Sequence, residues 1–339
     1  MGQQPLEGIK VLDLSNHIVG SYCTKQFADY GASVIKIEKP GRGCLTRSMY
    51  PFAGDDANIE KSLYHLYLNT NKKSLTLNLK SAAGQKILRQ LVKDTDILIE
   101  SFAPATREAL GLNFEELEQI NPKLVMMSIS NFGQTGPYRD YKASDLIMFA
   151  MGGSMSSQGR PDREPINKGR DITLFETGIQ CWYQAMAVYM GTRKDGIGDY
   201  IDCSIMDTEE AGCERRTAHL LGYSYSGDNT LRRDPHPKVG ILPRVVKCKD
   251  GYLNMGAGPG KFGAVLTMLG HPDKAADPGW NVFAFDKDAE CKQIFDEGFG
   301  KKTKQEWAAM LQDAGIIAVP VNTPADVCND LHWEDRQFW

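Results

Sequence analysis

Asp145 is the first place where the residues suggest chemistry. It stands between a polar loop, Gly133-Gln134-Thr135-Gly136-Pro137-Tyr138, and an apolar run, Leu146-Ile147-Met148-Phe149-Ala150-Met151, that ends in Gly152-Gly153. A carboxylate at the mouth of an apolar helix is kept ionised by unpaired N–H groups and the helix dipole, and can serve as a nucleophile. It can equally cap that helix, as can Ser144 before it. The residues alone leave both readings open. Asp171, at the head of a long helical stretch, reads as a cap. The six histidines show no pairing that suggests a triad, and His17 alone lies near the proposed site. Tyr50, Tyr64 and Trp182 read as core or pocket alike.

The elements that must hold Asp145 follow from hydrophobic periodicity. Lys10 to Leu14 reads as a strand, a helical stretch runs through Phe27 and Tyr30, and Val34 to Glu38 reads as a second strand. That βαβ unit implies a parallel sheet. The pattern recurs with strands at Ser74–Leu77, Ile97–Ile99 and Leu124–Ile129 and helices at Ala82–Val92, through Glu108, and at Phe114–Ile120. A long helix is expected from Asp171 to Met190, a turn over Gly191–Gly198, a strand at Tyr200–Ile205 and a helix from Met206 to Leu221. Val245–Asn254 reads as a hairpin turning at Asp250-Gly251. The expected fold is α/β: a Rossmann-like open parallel sheet in a large domain, 1–222, and a smaller α/β domain, 244–325. A linker, 223–243, joins them, and 326–339 begins a further segment. The first turn, Ser15 to Gly20, lacks the G-x-G-x-x-G that lets backbone approach a dinucleotide pyrophosphate, so Glu38 is not read as a ribose-binding acid.

Composition narrows the class. At 339 residues and a formal charge of −4, the chain has length for a real core and no basic excess that would point to nucleic acid or an anionic membrane. No run of eighteen apolar residues suggests a span, and the first residues do not read as a signal peptide. Eight scattered cysteines, none in a C-x-x-C pair, read as free thiols in a reducing cytoplasm and not as a disulfide frame or zinc site.

The ordered stretches Leu6–Leu14, Asp29–Pro40, Asn69–Ser74, Asp96–Phe102, Asn121–Leu124, Phe132–Tyr138 and Gly198–Asp202 resemble the class III CoA-transferases, the group of formyl-CoA, carnitine and bile-acid CoA-transferases. The resemblance implies an interlocked dimer, a homodimer or a hetero-oligomer with a related subunit. Similar proteins run on for many tens of residues beyond the position of Trp339, so a truncated chain is expected. In that family the catalytic carboxylate follows the G-Q-x-G-P-Y loop, and the resemblance puts Asp145 in that place. A carboxylate can attack an acyl-CoA thioester, hold the acyl group as a mixed anhydride and then hold CoA as an aspartyl thioester, with a small carboxylic acid as acceptor. No metal or permanently bound cofactor is implied.

By family position, His17, Ile18, Lys39, Arg47, Lys72, Lys73, Ser101 and Phe102 would line the CoA site, where strand C-terminal ends bind ligands. Ser101 replaces a common Asn and Ala109 stands where relatives often carry Arg, for which Arg107 compensates. Gly152 and Gly153 would let backbone pass close to the thioester or would end a helix. Gly256, Gly258 and Gly260 match a glycine-rich lid that keeps water out. The rival reading is a 2-methylacyl-CoA racemase-like isomerase, whose relatives use a His before this aspartate and an Asp matching Asp171. Ser144 stands in the place of that His, and serine lacks a suitable pKa.

Overall fold

Alternating apolar runs and amphipathic stretches produce the expected parallel sheet. The computed structural model describes residues 4–159, 163–211, 216–227, 241–242, 245–256 and 258–338. The chain divides into two compact units, Met1–Arg233 and Asp234–Trp339.

In the first unit, β1 (Lys10–Leu14), α1 (Ile18–Asp29), β2 (Ser33–Glu38), α2 (Leu63–Leu68), β3 (Lys73–Thr76), α3 (Ala82–Val92) and β4 (Ile97–Glu100) follow one another. Then come α4 (Pro104–Ala109), α5 (Phe114–Glu118), β5 (Val125–Ser130), α6 (Asp145–Met151), α7 (Ile172–Asp195), β6 (Asp199–Ser204), α8 (Ile205–Ala211) and α9 (Arg216–Ser226). Six strands form one sheet in the order β3-β2-β1-β4-β5-β6, every neighbouring pair parallel. This is the doubly wound order, whose ligands bind outside the strand C-terminal ends. A sheet covered on both faces must be apolar on both, and β4 and β5 are buried along their whole length. Val11, Phe27, Ile99, Met127 and Cys181 fill the core on the α1 and α7 face. Leu12, Leu88, Leu98, Leu117 and Met126 fill the other. Each fully buried aliphatic side chain there contributes roughly 1.5–3 kcal/mol.

The helix α7 departs from expectation. It does not stop for a turn at Gly191 but runs to Asp195 and closes at Gly196, left-handed at φ 75, whose N–H bonds Thr192 O at 2.8 Å. An interior glycine costs a helix about 1 kcal/mol, which packing against the core outweighs. A side chain at Gly178 would meet the Val19 carbonyl oxygen at 2.9 Å, so its absence is what lets α7 lie close on α1. Tyr223 to Ser226, expected to open a linker, instead finish α9. Residues 228–240 and 243 of that linker lie outside the described residues, as does 244.

The second unit has its own core. β7 (Val245–Cys248) and β8 (Gly251–Gly256) form the expected hairpin, and β9 (Ile317–Pro320) joins β8 antiparallel. The helices α10 (Phe262–Met268), α11 (Pro272–Ala276), α12 (Asp288–Phe299) and α13 (Lys304–Asp313) accompany the sheet, with Leu253, Met255, Phe262, Phe295, Phe299 and Trp307 buried among them. Two short helices, α14 (Pro324–Cys328) and α15 (Leu331–Asp335), follow.

Candidate active site

Two aspartates at the heads of successive helices, α6 and α7, meet in the first unit. Asp145 is the first residue of α6, and Ser144 before it caps by backbone alone, with no side-chain bond. The Asp145 carboxyl is half-buried, and its Oδ1 has no hydrogen-bond partner among the described residues. Burial pushes it above the usual aspartate range and the charge of Asp171 pushes the same way, while the N–H groups of Asp171 and Leu174 pull back and Glu209 pushes it up further.

Asp171 holds the more unusual position. It sits at the cap position of the 24-residue α7, yet its side chain makes no capping bond. This corrects the reading of Asp171 as a simple cap. Its backbone is left-handed at φ 63, a conformation that costs a non-glycine residue on the order of 1–3 kcal/mol and persists only where the surroundings impose it. The residue is buried, and Tyr64 Oη donates to its Oδ2 at 2.7 Å. Arg170 Nε lies 3.5 Å from the same oxygen. The Tyr64 phenol is pushed up by burial first, then by its bond to Asp171, so at neutral pH it stays a donor. His17, at the head of α1, is held below the ordinary imidazole value by lost hydration, partly offset by the charge of Asp171. Tyr64 packs against the core with its hydroxyl turned to Asp171, and what sequence reasoning missed is this bond to a residue 107 positions away.

Across the β1–α1 loop lies a cavity of about 400 Å³ at the C-terminal ends of β1, β2 and β4, within the size range of small-molecule sites. Ser15, Asn16, Lys39, Asn78, Lys80 and Phe102 are among its lining residues. The loop thus shows Asn16 to the cavity, while its neighbour His17 lies near Asp171. Lys80 went unnoticed in the sequence because a lysine in a short loop after a strand looks like any solvated charge. A shallower depression sharing Leu79, Lys80, Thr106 and Leu110 continues from the cavity and adds Arg89.

Of the expected CoA-lining residues, Lys39, Ser101 and Phe102 face this cavity. The Ser101 hydroxyl also accepts from the Asn16 N–H at 3.0 Å. The others are placed differently. Ile18 is fully buried in the core, so its side chain is out of reach of a ligand. Arg47 is gripped by both oxygens of Glu38, at 2.7 and 2.9 Å, and by Glu60 at 3.0 Å. Lys72 is buried against Asp13, and Lys73 opens β3 at the end of the strand away from the cavity. Arg107 turns to Gln134 Oε1 at 3.0 Å and to the Leu112 carbonyl at 3.1 Å, so it does not compensate for Ala109 in the cavity. Gly152 ends α6 and leaves room for Glu209, whose Cγ a side chain would meet at 2.6 Å; Gly153 is left-handed at φ 79. Gly152 thus caps α6, and Gly153 leads into the short turn Ser154–Ser157. Gly256 finishes β8, and Gly258 and Gly260 belong to the short turn before α10, with Ala257 outside the described residues.

Beneath the β1–α1 loop sits a buried charge cluster. Asp13 Oδ1 accepts from the Ser15 N–H at 2.9 Å and the Ser15 hydroxyl at 2.6 Å. Its Oδ2 receives Lys36 Nζ at 3.1 Å, Lys72 Nζ at 3.2 Å and Thr24 Oγ1 at 2.6 Å. Lys36 also donates to the Ser15 carbonyl at 3.0 Å, so Ser15 is held from both sides. Burial alone would raise the Asp13 carboxyl; the two ammonium groups and the hydroxyls outweigh it and hold the group well below the usual range.

Comparison with known proteins agrees with this fold. The chain is 31% identical over 329 residues to the human succinyl-CoA:glutarate CoA-transferase, covering 96% of this chain and 73% of that protein. It is also 31% identical to the acetyl-CoA:oxalate CoA-transferase of Acetobacter aceti, over 96% and 82% of the two chains. The crystal structure of a CAIB/BAIF family protein from Brucella suis superposes with a TM-score of 0.88 at 30% identity, covering 99% of this chain and 88% of that one. The family model for CoA-transferase family III matches residues 6–339, and the chain belongs to that family and is a CoA-transferase.

Proposed function

We propose that the enzyme moves CoA from an acyl-CoA to a small carboxylic acid through covalent loading of a buried carboxylate, and that this carboxylate is Asp171, with Asp145 as its neighbour. The observation that carries the choice is the Tyr64 hydroxyl on Asp171 Oδ2 at 2.7 Å, on a residue held left-handed at the head of a long helix. A bond on one oxygen leaves Oδ1 to attack. Asp145 heads a helix of only seven residues, and burial and its neighbours make it harder to ionise.

Asp171 Oδ1 attacks the thioester carbon, the C–S bond breaks, and a mixed anhydride and CoA thiolate result. The thiolate then attacks the Asp171 carboxyl carbon, releasing the donor acid and leaving an aspartyl-CoA thioester. The acceptor carboxylate attacks that same carbon and expels the thiolate, which finally attacks the acceptor's acyl carbon and frees Asp171. Each attack on the Asp171 carboxyl carbon gathers negative charge on Oδ2, where Tyr64 already donates. That makes Tyr64 an oxyanion donor. Tyr64→Phe is therefore expected to lower kcat by roughly 10²-fold with KM for acyl-CoA little changed; an unchanged kcat removes this role.

The nucleotide end of CoA is assigned to the cavity at the strand ends, where Lys39 and Lys80 make no ion pair among the described residues and suit phosphate. The chain covers most of succinyl-CoA:glutarate and acetyl-CoA:oxalate transferases, which supports short carboxylic acids as acceptors. Incubating the protein with a panel of acyl-CoAs and acids and reading CoA exchange by mass spectrometry tests the reading; exchange that needs no acceptor acid defeats it. The proposed assembly is a homodimer in the cytoplasm. Exposed Ile179, Tyr183 and Met190 on α7 and Leu220, Leu221 and Tyr225 on α9 support a partner surface. Sedimentation equilibrium should give twice the chain mass, and a monomer at micromolar concentration contradicts it.

A further inference from the structure

Glu100 ends β4 and is fully buried, and neither the transfer chemistry nor the core explains it. Its Oε2 accepts the Phe102 N–H at 2.7 Å, and Phe102 lines the nucleotide cavity. Its Oε1 has no hydrogen-bond partner among the described residues. On the same register row of the sheet stand Ser128 of β5 and Asp202 of β6. The Ser128 hydroxyl, the Tyr200 hydroxyl and Gln134 Nε2 are likewise buried without partners among the described residues.

The charged neighbours do not neutralise Glu100. Arg107 on α4 is committed to Gln134 and the Leu112 carbonyl and stacks over the Tyr200 ring, and it makes no ion pair with Glu100. Asp202 on β6 is spent on the Gln134 N–H and adds like charge. Burial, first, raises the Glu100 carboxyl to about 7, with Ser128, the Phe102 N–H and Arg107 pulling down and Asp202 pushing up. A protonated Glu100 still accepts from Phe102 through one oxygen, and its new O–H can be donated to the orphaned Ser128 or Tyr200 oxygen. An ionised Glu100 places a buried negative charge beside a pocket meant for phosphates.

We infer that Glu100 is a positioning residue for the nucleotide pocket: it holds the Phe102 backbone in place, and acyl-CoA binds more tightly when its carboxyl is neutral than when it is charged. This rests on the cavity being the CoA site. Binding and protonation are linked, so a polyanion that favours the protonated form binds best below the free-protein value and loses affinity as pH rises through it. The effect falls on binding and leaves kcat alone.

Isothermal titration of the full-length protein with coenzyme A at pH 6, 7 and 8 tests it, using wild type, Glu100→Gln and Lys80→Ala. The phosphates of CoA titrate alike in all three, so the ratio between proteins isolates Glu100. Glu100→Gln keeps an acceptor for Phe102 and cannot ionise. Its affinity is expected to match wild type at pH 6 and to exceed it about threefold to tenfold at pH 8. Glu100→Ala, which loses the Phe102 contact, should bind more weakly at every pH, and recovery in the Gln variant separates positioning from simple damage. A Gln-to-wild-type ratio that stays flat from pH 6 to pH 8, with Lys80→Ala impaired, overturns the role of Glu100 alone. Lys80→Ala binding as tightly as wild type overturns the pocket assignment, and this inference with it.

Discussion

Replacing Asp171 by alanine should reduce CoA transfer by roughly 10⁴-fold or more while coenzyme A still binds within a few-fold of wild type. The size follows from the mechanism: without a covalent carrier, a thioester and an acid must exchange CoA directly. Asp171→Asn should fail equally, since an amide neither attacks a thioester usefully nor releases CoA by the same route. The binding site is expected to survive, because the cavity residues Lys39, Lys80 and Phe102 come from loops after β2, β3 and β4, away from α7. Asp145→Asn separates the two carboxylates. It removes the like charge beside Asp171 and should cost roughly 10²-fold or less in kcat. Steady-state kinetics with both variants decides between them, and an Asp145 variant that is dead beside an active Asp171 variant reverses the assignment.

The largest effect on stability is expected at Asp13. Asp13→Ala leaves Lys36 and Lys72, each almost fully buried, without their shared carboxylate. Breaking a buried pair by removing one partner costs about 3–5 kcal/mol, because the remaining charge has no hydration. For a unit of this size that corresponds to a drop in Tm of roughly 6–20 °C. The pH dependence has a definite sign. The folded-state carboxyl is held below its unfolded value, so its contribution is present above pH about 4 and fades as pH falls toward the folded value. The gap in Tm between wild type and Asp13→Ala should therefore be widest near neutrality and narrow below pH 4. It should also shrink in alkali: burial already lowers Lys72 to about 8 with Asp13 present, and losing Asp13 lets it discharge more readily. Calorimetry from pH 3 to pH 9 reads both arms. A variant as stable as wild type at pH 7 denies the cluster its structural weight.

The sheet was readable because its cause is local. Each strand is an apolar run bounded by turn residues, and each helix repeats its apolar positions along one face, so six strands could be placed to within a residue or two. The misreadings among the basic residues share a different cause. Lys72 and Lys73 are adjacent and look alike, yet Lys72 folds into a buried cluster and Lys73 faces solvent; only the tertiary position of Asp13 separates them. Arg47 looked like a phosphate ligand until Glu38, nine residues earlier, proved to hold it with two bonds. Asp145 drew attention through a motif beside it, whereas Asp171 stands out through a backbone angle and a tyrosine from α2, neither of which leaves a pattern in the neighbouring residues. Gly191 failed to break α7 because local propensity is worth less than the packing of a 24-residue helix.

Covalent capture tests the central claim most directly. The protein is to be incubated with an acyl-CoA it turns over, quenched with hydroxylamine or borohydride, digested and mapped by mass spectrometry. The account predicts a hydroxamate, or a reduced side chain, at Asp171 and an unmodified Asp145 peptide; a label on Asp145 with Asp171 untouched, or on neither during active turnover, contradicts it.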